Sequence, residues 1–256
     1  MIRAAYFLTL FLSILVFSCG EDVVNDEPIT VETESDDILL SSAFDEFDTD
    51  NVTISLDGTD VIIESNGHPN HPTPYWPTTH ELYQDPIDPN FDAAPGTILN
   101  YTGTTTLTVP AVPTLASRST ATSLGAIGIA VSGAVIYNDQ EGPNVPLDFP
   151  TANSLDYTAA HTGPQSYHYH AEPVAWSEDD DKLIGIMADG FFLYGRRCAS
   201  TGGYPTDLDA SGGHYSTTQH SNEPHYHYHI QNELYINTFY LLFPGDYQGI
   251  ANAIFQ

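Results

Sequence analysis

The stretch Ile127-Gly-Ile-Ala-Val-Ser-Gly-Ala-Val-Ile-Tyr137 aligns without a gap on Ile184-Gly-Ile-Met-Ala-Asp-Gly-Phe-Phe-Leu-Tyr194. Each copy holds two apolar, β-prone runs joined at Ser132-Gly133 or Asp189-Gly190. A Gly-containing turn between such runs predicts a β-hairpin, and Asp-Gly suits a two-residue turn whose central positions both need positive φ. The same polar series follows each hairpin. Asp156 stands five residues before His161 and Asp209 five before His214; then come Tyr167-His168-Tyr169-His170 and Tyr226-His227-Tyr228-His229. Two copies at a period of roughly 55–60 residues are too few for a solenoid, so the pattern predicts duplicated halves with pseudo-twofold symmetry.

Outward from the repeat, Val52–Leu56, Val61–Glu64, Thr104–Val109 and Leu234–Phe243 are further short β-prone runs. Gly, Pro, Asn and Asp separate them, and long helical periodicity is missing. The expected fold is all-β, one sandwich- or barrel-like domain over residues 51–256, with halves at about 124–172 and 181–231.

The N-terminus reads differently. Met1-Ile2-Arg3 precedes an apolar run from Ala4 to Phe17, shorter than the ~20 residues that span a bilayer. Val16-Phe17-Ser18-Cys19 resembles a lipobox, which makes residues 1–18 a lipoprotein signal peptide and Cys19 the acylated residue. From Gly20 to Asp50 there are 12 acidic residues and no Lys or Arg, so residues 19–50 read as a flexible acidic tether. Acidic residues directly after Cys19 resemble the signal that exports lipoproteins to the cell surface. The expected location is the cell envelope, lipid-anchored at the outer membrane and surface-exposed.

The formal charge is −29. Losing residues 1–18 removes only Arg3, leaving 4 cations against 34 acids, or −30. Such a surface excludes nucleic acid and attraction to anionic lipid headgroups. Cys198 is the one thiol besides Cys19, so no disulfide forms within the domain.

In a strand, residues i and i+2 share a face, so each Tyr-His-Tyr-His places two histidines on one side and two tyrosines on the other. If the halves pack about a twofold, His168, His170, His227 and His229 face a common centre, with His161 and His214 as further ligands. Asp156 and Asp209 then bind the ion or orient an imidazole. Nitrogen with carboxylate suits Zn, Cu or Fe, with Ni also compatible. The tyrosines read as packing residues, and Asp189 as a turn residue. His225 reads as a rim residue and His220 as solvated. Cys198 has no counterpart in the first copy under this reading and is expected to be a bystander. His68 and His71, each before a proline, lie in a loop that can cover the site or simply lead into the domain.

The paired Tyr-His-Tyr-His strands, Gly185–Gly195 and Ser65-Asn-Gly-His-Pro-Asn-His71 together resemble the YHYH-domain proteins over roughly residues 60–245. The resemblance implies a secreted β-rich domain and no assigned activity. This chain departs from many relatives in having few cysteines near the motifs. Three functions remain: a surface lipoprotein that binds a transition metal, a metal-dependent hydrolase or oxidoreductase at the same site, and a glycan- or protein-binding module using exposed Tyr, Trp76 and Trp176. No metalloprotease helix motif, nucleophile elbow or phosphate loop is present.

Overall fold

A computed structural model describes residues 38–256 of the chain. The signal segment, Cys19 and the tether as far as residue 37 lie outside the described residues.

In chain order the strands are β1 (Val52–Asp57), β2 (Asp60–Ser65), β3 (Thr105–Pro110), β4 (Leu115–Ala121), β5 (Gly128–Ala130), β6 (Val135–Ile136), β7 (Gln140–Gly142), β8 (Val145–Pro146), β9 (Ala160–Thr162), β10 (Tyr167–Tyr169), β11 (Leu183–Met187), β12 (Phe192–Tyr194), β13 (Gly213–Thr218), β14 (Ser221–His229), β15 (Leu234–Tyr235), β16 (Phe239–Tyr240), β17 (Asp246–Gly249) and β18 (Ile254–Phe255). Among the described residues one short α-helix, α1 (Phe149–Ala152), is capped by Asp148, whose side chain accepts from Thr151 N. The described residues are all-β, as expected, but among them the sheets are open and none closes into a barrel.

The main sheet has eight strands in the order β13-β14-β12-β11-β5-β6-β10-β9. At its centre β11 and β5 run antiparallel with Ile186 opposite Ile129, which are equivalent residues in the repeat alignment. From this pair outward each side follows the same course. The hairpin's second strand comes first, then a parallel Tyr-His-Tyr-His strand, then the strand carrying His161 or His214. The pairings match residue by residue: His168 lies opposite His161, and His227 opposite His214.

Central β11 is buried along its whole length, which explains its unbroken apolar sequence Leu-Ile-Gly-Ile-Met. A second sheet, β1-β2-β3-β18, alternates buried and exposed residues. Its Val61, Ile63, Leu107 and Val109 join the same core as Ile129, Ile186, Tyr167, Tyr169 and Tyr228.

Two expectations need correction. Folded structure begins before residue 51: Ser42–Glu46 forms a 3-10 helix, and Ala43, Phe44 and Phe47 are buried in the core. Apolar residues interspersed among the acids anchor this end of the segment. The hairpin turns also differ from two-residue turns. Ala130 N bonds to Ala134 O across a three-residue loop, and only Gly133 has positive φ (104°), with Gly190 (88°) alike. Ser132 and Asp189 keep ordinary φ, the pattern of a type I turn closed by a glycine bulge.

Candidate metal centres

The alternation of the Tyr-His-Tyr-His strands holds, and the tyrosine side is the core. Tyr167 Oη donates to Asp156 Oδ2 at 2.7 Å and Tyr226 Oη to Asp209 Oδ2 at 2.6 Å. Tyr169 Oη pairs with Ser132 Oγ at 2.9 Å, and Tyr228 Oη donates to Asp189 Oδ2 at 2.6 Å. A buried phenol needs such a partner. The turn residues Ser132 and Asp189 therefore serve as anchors for the histidine strands as well as turn formers. His71 Nε2 bonds to Tyr169 Oη at 2.6 Å, so the His68–His71 loop packs on the tyrosine side and does not cover the histidines.

Asp156 and Asp209 fold back on their own backbone. Asp156 Oδ1 accepts from Thr158 N, and Asp209 Oδ1 from Ser211 N, each at 2.8 Å. Thr73 Oγ1 also donates to Asp156. With their oxygens engaged by tyrosines and amides, both aspartates stand outside the ligand groups and shape the turns before β9 and β13.

The six histidines of the repeats gather into two clusters, not one. His161, His168 and His170 form the first; His214, His227 and His229, with Cys198, form the second. Strands β10 and β14 are five strand positions apart, roughly 24 Å at ~4.8 Å per position. One shared ion is out of reach because the hairpins meet back to back through β5 and β11, which sends both histidine strands outward.

In the first cluster His168 Nε2 lies 3.0 Å from His161 Nε2 and 3.0 Å from His170 Nε2. Two nitrogens bound at ~2.05 Å to one tetrahedral ion stand about 3.3 Å apart, so the spacing is close to that of a ligand set. Each outer nitrogen is held. His170 Nδ1 bonds to Asn138 O at 2.6 Å and His168 Nδ1 to Ser166 O at 3.2 Å. His161 Nδ1 meets Ser154 Oγ at 2.7 Å, and that hydroxyl donates to Thr151 O. Helix α1 thus positions His161 through Ser154.

A carbonyl only accepts, so Nδ1 carries the proton and Nε2 presents a bare lone pair. Lone pairs 3.0 Å apart repel unless a cation lies between them. A proton is a poor candidate: burial, then the neighbouring imidazoles, drive His168 well below the usual imidazole range, and burial takes His161 down to about 4. Tyr137 stacks on the His168 ring at 3.7 Å and fixes its plane.

The second cluster repeats this geometry. His227 Nε2 and His229 Nε2 are 3.1 Å apart. Their Nδ1 atoms face His225 O at 3.0 Å and Gly195 O at 2.7 Å. His214 Nδ1 bonds to Asp207 Oδ1 at 2.8 Å, a carboxylate that raises the basicity of the ring. Burial lowers His227 to about 3 and His229 to about 4. Cys198 Sγ lies 3.7 Å from His214 Nε2, close to the sulfur–nitrogen spacing around a tetrahedral ion. The thiol is fully buried. Arg196 and Arg197 turn away from it, to Glu172 and Asp179.

Cys198 is therefore a member of the site and has a counterpart. The ungapped alignment that pairs Tyr137 with Tyr194 pairs Asn138 with Gly195, the two carbonyls that hold His170 and His229. Three residues further it pairs Glu141 with Cys198. Glu141 Oε1 lies 3.1 Å from His170 Nε2 and 3.6 Å from His161 Nε2. Carrying the alignment four residues past the hairpin finds both residues.

The remaining histidines lie outside both clusters. His225 bonds its own strand through Glu223 O. His220, half-buried, meets Tyr194 Oη and Glu46 and so ties the N-terminal 3-10 helix to the main sheet. Trp76 is buried, and Trp176, half-buried, packs against the core.

No curated protein and no solved structure matches this chain. A family model described as "YHYH protein" matches residues 106–203, which include the first cluster with Glu141, both hairpins and Cys198, and end before His214. Over residues 106–203 the chain is similar to the YHYH protein family.

Proposed function

We propose that the protein binds two transition-metal ions, one at each histidine cluster, in halves related by a pseudo-twofold axis between Ile129 and Ile186. The observation that carries this is the convergence of Nε2 lone pairs 3.0–3.1 Å apart in both clusters, with the outer nitrogens fixed by backbone or side-chain partners. The donors favour a borderline ion such as Zn²⁺, and the thiol of Cys198 also welcomes copper. The burial of Trp76 weighs against its use in a glycan- or protein-binding face.

Elemental analysis of protein prepared without an affinity tag or chelator tests this. Near-stoichiometric metal supports it; folded protein that stays metal-free in the presence of zinc overturns it. Cys198→Ser separates the centres, removing any thiolate-to-cobalt charge-transfer absorption from cobalt-loaded protein.

The proposal includes the anchor: a signal peptide over residues 1–18, acylation of Cys19, and display on the cell envelope at the end of an acidic tether. Radiolabelled palmitate should enter the wild-type protein in bacteria and be absent from Cys19→Ser.

A further inference from the structure

The two centres differ in chemistry and in access. In the second, three histidines and one cysteine, all buried, supply four protein donors. Four protein donors complete a tetrahedron, the arrangement of a structural ion. In the first, three histidines form the compact set and Glu141 lies at its edge, against His170 and His161. The same three histidines and Glu141 border a cavity of about 740 Å³. Three protein nitrogens, room for a further ligand and a neighbouring carboxylate are what a metal needs to activate water.

We infer that the first centre hydrolyses an uncharged carboxylic ester, with metal-held water as nucleophile and Glu141 as general base, while the second centre is structural. The inference rests on the metal-binding reading above. Glu141 takes one proton from the water. The resulting hydroxide oxygen bonds to the acyl carbon, the acyl carbon–oxygen bond breaks, and the proton passes from Glu141 to the departing alkoxide. One water and one ester yield one acid and one alcohol.

The lining selects the substrate class. Asp92 and Glu141 are its acids and, among the described residues, no Lys or Arg borders the cavity, which disfavours phosphate esters and carboxylates. Leu124, Tyr137, Pro150 and Pro164 supply apolar surface for an acyl or alcohol group.

The test uses the full folded protein loaded with zinc, and p-nitrophenyl acetate as the uncharged ester. The wild type should hydrolyse it above a zinc-only control. Glu141→Gln should keep two zinc ions and a similar KM while kcat falls about 100-fold, the scale of a lost general base. In a second measurement, acetohydroxamate should change the visible spectrum of cobalt-loaded wild type but not of His168→Ala. Two bound ions with no hydrolysis above the control and no spectral change overturn the hydrolytic assignment and leave metal binding standing. An unchanged kcat in Glu141→Gln overturns the role of Glu141. Folded protein that holds no zinc overturns both readings.

Discussion

Single residues set the ligand geometry through contacts the motif does not show. His168 is held between the stacked ring of Tyr137 and the bare backbone of Gly163, where a Cβ would meet His168 Cε1 at 2.5 Å. Gly163 does not have positive φ, so an alanine there acts on the ring and leaves the backbone unstrained. Gly163→Ala should weaken zinc binding at the first centre by about 10- to 100-fold, the usual effect of disturbing a ligand's support, and leave the second unchanged. Calorimetric titration with zinc measures this; equal affinities in mutant and wild type would show that His168 does not bind the ion.

At the scale of elements, the hairpins were legible because two apolar runs flanking Gly leave few other structures. Their turn type was not, because Ser132 and Asp189 are fixed by Tyr169 and Tyr228, partners distant in sequence. The same limit applied to the centres. Alternation along a strand put His168 with His170 and His227 with His229, but which hairpin strand lies innermost is decided by the β5–β11 pairing. That pairing split one expected centre into two. Cys198 read as a bystander and Glu141 was not singled out because each reaches its histidines from a separate element, a turn after β12 in one case and β7 in the other. The turn itself can be tested. Gly190 has φ of 88° and sits where a Cβ would approach Pro113 at 3.1 Å. Gly190→Ala should cost about 1–2 kcal/mol and lower the thermal midpoint, from backbone strain in the left-handed region. An unchanged midpoint would contradict the strain.

At the scale of the whole molecule, metal-free protein carries buried neutral histidines, and this ties stability to pH. An unfolded chain protonates these imidazoles near 6.5, whereas folded His227 and His229 resist to about 3 and 4. Between those limits the unfolded state binds more protons, so this contribution is fully present above pH 6.5 and is lost as pH falls toward 4. Easing of the chain's −29 charge acts the other way on acidification, so the comparison is made against His227→Gln. With chelator present, the thermal midpoint should fall more between pH 7.5 and 5 in wild type than in His227→Gln. An equal fall in both would contradict the low folded value of His227.

The two clusters stand roughly 24 Å apart across the main sheet, too far to share an ion, and should bind independently. Zinc stoichiometry in wild type, His168→Ala and His227→Ala measures this most directly, with circular dichroism to confirm that each is folded. Two ions per chain, falling to one in either variant, is the expected result. One ion falling to none in both variants, or no ion in the wild type, would contradict two separate metal centres.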